Sequence, residues 1–149
     1  MSYTNLVYHI VFRTYRSEPT IEESSERELY GYILGYARNQ GAKVYRIGGM
    51  PDHIHILVSI PAHIAVAEFV RGLKLATHNR LKDDPHFPRF NGWGEGYAAF
   101  TYSIEQIPVV KQYIINQKVH HRTTTFAEEY RKIILEGGAN IDEKYFLVD

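Results

Sequence analysis

The 149-residue sequence contains no cysteine. That excludes a disulfide framework, a thiol nucleophile and any cysteine-ligated zinc or iron–sulfur site. No apolar run reaches the roughly 18 residues that a membrane-spanning helix needs. The stretch MSYTNLVYHIVFRTYRSEP has neither a basic segment before its apolar part nor a small-residue cleavage site after it, so no signal peptide is expected and the cytoplasm is the default location. Charge of one sign is not in excess, since 17 Lys and Arg face 17 Asp and Glu. An even total argues against a bulk polycation that coats nucleic acid, although it can hide a local basic face. Internal repeats, low-complexity tracts and long linkers are also missing. What remains is a chain that is 44% apolar, with 12 tyrosines and 8 histidines, of a length that suits one domain over residues 1–149.

Alternation is clearest at the start. Leu6, Tyr8, Ile10 and Phe12 fall on one face of a strand, with Val7, His9, Val11 and Arg13 on the other. Residues 24–40 carry Leu29, Ile33, Leu34 and Ala37 at helical spacing, with glutamates near the start and Gly41 as the C-cap. Strands are expected over 42–49 and 53–60, a helix over 64–82, a Pro- and Gly-containing loop over 83–96 and a strand over 97–104. Pro108 starts a helix that runs on through VVKQYIINQKVHH. A last short helix, FAEEYRKIILEG, ends at Gly137 and Gly138. The order β-α-β-β-α-β-α predicts an α+β fold. Its split βαβ, ferredoxin-like core has a four-stranded antiparallel sheet and two helices on one face, with a further C-terminal helix. Sheet and helices are expected within about residues 3–122, and residues 123–149 as a C-terminal tail.

His53 and His55 are separated by one residue on a strand, so both imidazoles project to one face, the face that the two early helices leave uncovered. Two neutral imidazoles make half of a metal site; equally, a strand carries polar residues on an open face without any metal. Tyr113 and Gln117, four apart in KQYIINQKVHH, share one side of a helix. A tyrosine can become covalently attached to its substrate, and a glutamine carboxamide oxygen can ligate a metal. Tyrosines on helices are also ordinary core and rim residues. No Ser–His–Asp set, carboxylate pair or positioned base for hydrolysis is evident. A metal beside a tyrosine hydroxyl therefore points to phosphodiester transesterification, with the ion withdrawing charge from a phosphate oxygen as the tyrosine attacks.

GGMPDHIHILVSIP (48–61), GYAAFTYS (96–103) and YIINQKVHH (113–121) together resemble the single-tyrosine HUH transposases of small bacterial insertion sequences, the 200/605 type. The resemblance runs from about Tyr8 to Tyr145. It implies an enzyme that cleaves and rejoins single-stranded DNA at element ends through a 5′-phosphotyrosine intermediate. Tyr113 would then be the nucleophile, and His53, His55 and Gln117 the ligands of Mg²⁺ or Mn²⁺. It further implies a homodimer, in which the tyrosine helix of one chain can complete the site of the other, and recognition of a subterminal DNA hairpin. Imidazoles ordinarily favour a softer ion, so Mn²⁺ is expected to work at least as well as Mg²⁺. A non-catalytic hairpin-binding module on the same fold is the alternative reading.

For the nucleic acid, Arg71, Lys74, Arg80 and Lys82 make the segment 71–82 locally +4, with His78 inside it, while Glu18, Glu22, Glu23, Glu26 and Glu28 crowd the first helix. This segment suits phosphate contacts or an ordinary solvated face. Phe87, Phe90, Trp93 and Tyr97 flank the glycine-rich loop, where they stack on unpaired bases or pin the loop to the core. His120 and His121 follow the Tyr–Gln face and either contact substrate, orient Gln117 or complement a helix end.

Overall fold

A computed structural model describes residues 1–149. Alternating apolar residues form β1 (Val7–Arg13), and the stripe of Leu29, Ile33 and Ala37, each four residues apart, forms α1 (Glu26–Asn39). β2 (Lys43–Met50) and β3 (His53–Ser59) follow as a hairpin, then α2 (Val66–Leu81) and the short strand β4 (Ala98–Thr101). The sheet is antiparallel throughout in the order β2-β3-β1-β4, the ferredoxin-like arrangement that the element order predicts. β4 is shorter than the expected 97–104, because Ser103 and Gln106 form a capping box that turns the chain into a 3₁₀ turn. No helix is long and apolar enough to cross a membrane.

Strand pleating gives the two sheet faces separate jobs. Ile10, Phe12, Ile54, Ile56 and Val58 point to one side and join Leu29, Ile33, Phe69, Val70 and Leu73 of α1 and α2 in a core of 17 buried residues. Val7, His9, Val11 and Arg13 of β1 and His53, His55 and Leu57 of β3 share the opposite side, since Val11 pairs with His55 and Arg13 with His53.

This second face is not open. α3 (Ile107–Ile115), α4 (Gln117–His120) and α5 (Phe126–Glu136) of the same chain cover it. Ile107, Val110 and Ile114 pack on Val7 and Leu57, and Phe126 packs on Val11 and Ala98. Gly48 permits the crossing: a Cβ there would lie 2.7 Å from Ile114 Cγ2 and 2.9 Å from Ile114 O. The expected continuous helix through 113–121 is broken at Asn116 (φ −86°, ψ 9°), which separates α3 from α4. Lys118 then pins α4 by donating to Glu26 Oε2 at 2.7 Å and Gly49 O at 2.8 Å. Residues 123–149, expected as a tail, supply α5 and thus part of the cover.

Candidate active site and metal centre

Between the two apolar patches of the second face lies a buried polar cluster. His53 and His55 are fully buried, Gln117 is 1% exposed and Glu129 is 2% exposed. His53 Nδ1 lies 2.6 Å from Asp52 Oδ1, which turns Nε2 inward to Gln117 Oε1 at 3.0 Å. His55 Nδ1 meets His9 Nε2 at 2.8 Å, leaving its own Nε2 3.2 Å from Glu129 Oε1. That same oxygen is 3.2 Å from His53 Nε2 and 2.9 Å from His121 Nε2, and His121 Nδ1 donates to Thr124 O at 2.7 Å. The other carboxylate oxygen, Oε2, accepts from Gln117 Nε2 at 2.7 Å and from the Tyr113 hydroxyl.

The four residues of the sequence expectation, Tyr113, Gln117, His53 and His55, thus converge within one chain, and the break at Asn116 does not part Tyr113 from Gln117. Sequence reasoning missed the group at their centre, Glu129, and the orienting residues His9 and Asp52. Glu129 accepts the Tyr113 hydroxyl, a contact that the sequence reading did not include. Its only sequence signal was an acid in the first turn of the last helix, where a glutamate ordinarily serves the dipole. His9 was legible only as a polar residue on an apolar strand face. His120 Nε2 lies 3.5 Å from Glu129 Oε2 and makes no hydrogen bond, whereas His121 is tied into the cluster.

Charge is sharply divided within this small volume. Burial pulls the His53 imidazole down, but the carboxylates of Asp52 and Glu129 outweigh it and push it up to about 9. Burial lowers His55 to about 4, with the neighbouring His53 charge adding to the effect, and lowers His9 to about 3 beside His55. Burial alone would raise the Glu129 carboxyl, yet hydrogen bonds from His121, His53 and His55 hold it far below the usual carboxylate range. Burial and the Glu129 charge together push the Tyr113 phenol above its ordinary range.

The donor set fits a divalent cation. The ligand atoms of His53, His55 and Glu129 lie within 4.8 Å of one another, and the Gln117 carboxamide oxygen faces the same space. Two imidazole nitrogens with carboxylate and amide oxygens accept both borderline and hard ions. Each histidine has its Nδ1 engaged, as ligating histidines ordinarily do. Beside the cluster a cavity of about 600 Å³ is lined by His9, Tyr102, Tyr113, His120, Glu129 and Lys132, so Tyr113 sits on the cavity wall.

The basic segment lies elsewhere. α2 packs on the opposite side of the sheet, so Arg71, Lys74, His78, Arg80 and Lys82 are not among the cluster residues. Lys74 is half-buried and donates to Gly94 O and Gly96 O at 2.9 and 2.7 Å, while Arg80 lies over the Tyr32 ring. Arg71, Arg80 and Lys82 are exposed. Phe87 and Phe90 are buried in the core and Trp93 packs edge-on to Phe12, its Nε1 donating to Thr77 Oγ1 at 2.9 Å. These three aromatics pin the loop; Tyr97, 37% exposed, does not.

The sequence model of the family described as "Transposase IS200 like" matches residues 2–117. The ISDra2 transposase TnpA of Deinococcus radiodurans is 28% identical over 120 residues, covering 75% of this chain and 84% of the relative. A Deinococcus radiodurans protein assigned as a transposase, solved at 1.90 Å, superposes with a TM-score of 0.59 at 26% identity, over 78% of this chain and 93% of that one. A REP-associated tyrosine transposase bound to a REP hairpin gives a TM-score of 0.62 over 100% of this chain and 92% of that one; at 12% identity it speaks for the fold alone.

Proposed function

The chain belongs to the IS200-like transposase family, and we propose that it cuts and rejoins single-stranded DNA at insertion-sequence ends through a 5′-phosphotyrosine intermediate. The observation that carries this reading is the convergence of Tyr113, Gln117, His53 and His55 on the Glu129 carboxylate inside a single chain. Tyr113 is the nucleophile: its proton passes to Glu129 Oε2 as its oxygen attacks phosphorus. The P–O3′ bond to the 5′-side neighbour breaks, and that O3′ takes up the proton and leaves as a 3′-hydroxyl, while phosphorus stays on the 5′-oxygen of the 3′-side nucleotide. Rejoining reverses these steps, and the phosphotyrosine bond conserves the energy of the broken linkage.

His53, His55 and Gln117, with Glu129 as a fourth donor, would hold Mg²⁺ or Mn²⁺. When bound, the ion polarises the scissile phosphate and draws off the Glu129 charge that keeps the Tyr113 proton in place. Asp52 and His9 fix the rings of His53 and His55 so that both Nε2 atoms face inward. Glu129 Oε2 is the acceptor already holding the Tyr113 hydroxyl, and it orients the phenol towards the cluster and the adjoining cavity. Glu129→Gln is expected to lower Mn²⁺ affinity by about 10- to 100-fold, measured by the loss of the free-ion paramagnetic resonance signal.

The substrate is single-stranded DNA bearing a subterminal hairpin. The test is a covalent protein–oligonucleotide adduct on a denaturing gel, formed by the wild type with such strands and Mn²⁺. Tyr113→Phe should form none; an adduct in that variant, or none in the wild type with any element end, removes the reading. Because one chain supplies every site residue, mixing Tyr113→Phe with His53→Ala chains should restore no cleavage, whether or not the protein is a homodimer. Recovery would instead place the tyrosine helix in a partner's site.

One observation favours the second reading, a hairpin-binding module without catalysis: burial and Glu129 both hold the Tyr113 proton on. That module would bind hairpins and yield no adduct with any metal.

A further inference from the structure

Beside His53 on the active-site face, an anion-binding arrangement involves none of the cluster residues. Arg13, the cross-strand partner of His53, is 4% exposed and makes a two-pronged contact with Asp149, Nη1 to Oδ2 and Nη2 to Oδ1, both 2.9 Å. The backbone N–H of Arg16 donates to Oδ2 at 2.6 Å, and that of Glu95 donates to Oδ1 at 2.9 Å. Four donors therefore converge on two oxygens, and the Asp149 side chain is only 5% exposed.

Contacts other than those to Asp149 also hold the cradle. Arg16 and Ser17 both adopt φ of 56°, a left-handed pair of non-glycine residues that is costly to hold and that aims backbone N–H groups into a concavity. Ser17 Oγ receives Arg13 Nη1 at 3.2 Å, and Tyr15 N–H is tied to Gly92 O at 2.9 Å. Lys74 fixes the opposite wall through Gly94 O and Gly96 O. Gly94 is needed there, because a Cβ would come within 3.0 Å of Arg13 Cζ, Asp149 Oδ1 and Thr14 O. Burial alone would raise the Asp149 carboxyl, but the donors hold it below the usual carboxylate range.

We propose that this cradle of Arg13 and the N–H groups of Arg16 and Glu95 receives a backbone phosphate of the single strand, and that Asp149 occupies the phosphate position when no strand is bound. A guanidinium fork with two backbone donors matches the two non-bridging oxygens of a phosphodiester as well as it matches a carboxylate. Position gives the phosphate its identity. Directly paired residues lie about 4.5–5.5 Å apart at Cα, so Arg13 adjoins His53 on one face and a strand crossing the site would pass both. This assignment rests on the single-strand reading above but not on cleavage.

The experiment uses the full chain, metal-free, with a thymidine oligonucleotide that forms no hairpin, and separately with inorganic phosphate. Asp149→Asn should bind the oligonucleotide about tenfold more tightly than the wild type, since a tethered competitor acts at about millimolar effective concentration. Asp142→Asn, with the same charge change elsewhere on the tail, should gain less than twofold. Adding Arg13→Gln to Asp149→Asn should erase the gain, and in Asp149→Asn the amide resonances of Arg16 and Glu95 should shift on adding oligonucleotide. A gain no larger than that of Asp142→Asn overturns the proposal, as do unmoved amides or a response to inorganic phosphate alone. Adduct formation at Tyr113 is scored independently, so loss of the transposase reading and loss of the cradle are separate results.

Discussion

The two faces of one sheet are built on different rules. Under α1 and α2 lie 17 buried apolar residues, with the ionisable tyrosines Tyr8, Tyr30 and Tyr36 only partly buried at the edge of the cluster. Under α3, α4 and α5, apolar packing shrinks to clusters of 5 and 3 residues that flank His9, His53, His55, Gln117 and Glu129. The first face supplies stability through burial. The second tolerates several desolvated polar groups because each finds a partner, and such a network costs stability when any member is removed. One face holds the strands in register; the other uses that register to aim side chains.

The sharpest way to break this division is Tyr113→Phe. It should abolish adduct formation, by at least about 10⁴-fold, while the urea midpoint moves little, since one hydroxyl leaves the rim of the site. Collapse of the fold instead would mean that the polar face is a structural core. Next in size, Phe69→Ala on the apolar face should cost about 3–5 kcal/mol by urea unfolding, with adduct formation kept where the variant remains folded.

A few kcal/mol are expected from pH in metal-free buffer. The folded-state values of His9 and His55, about 3 and 4, lie below the unfolded value of 6.5. Their contribution is therefore present above pH 6.5 and is lost as pH falls towards 4 and 3. His53 behaves oppositely: raised to about 9, it contributes fully below 6.5 and loses that contribution as pH rises through 9. The urea midpoint should thus fall between pH 6.5 and 4, and a flat profile would show that His9 and His55 are solvated. Smallest is Thr77→Val, which removes the acceptor of Trp93 Nε1 and should cost about 1 kcal/mol with no change in adduct yield.

The same contrast explains what was legible in the sequence. The apolar face follows from spacings of two and of three to four, and the elements it implies are present in the expected order. His53 and His55 were readable for the same reason, because their common face depends only on adjacent residues of one strand. Glu129 meets His55 across 74 positions, His9 meets it across 46, and Asp149 meets Arg13 across 136. No local period encodes such meetings; they arise when Gly48 lets α3 down onto β2 and α5 follows. The break at Asn116 likewise has no proline or glycine to announce it. The glycine-rich loop offered two roles for its aromatics, and packing against Phe12 and Thr77 decided Trp93 for the core.

β3 serves both faces at once, and this ties inheritance of the chemistry to inheritance of the fold. His53 and His55 alternate along it with Ile54 and Ile56, so shifting its pairing by one residue would carry both imidazoles into the apolar layer and both isoleucines among the polar donors. An insertion or deletion in the turn at Pro51 and Asp52 would therefore remove hydrophobic packing and ligand geometry in one event. Descendants of such a gene can lose catalysis by point substitution at Tyr113 and keep their shape, but a frame-preserving slip of this strand leaves neither.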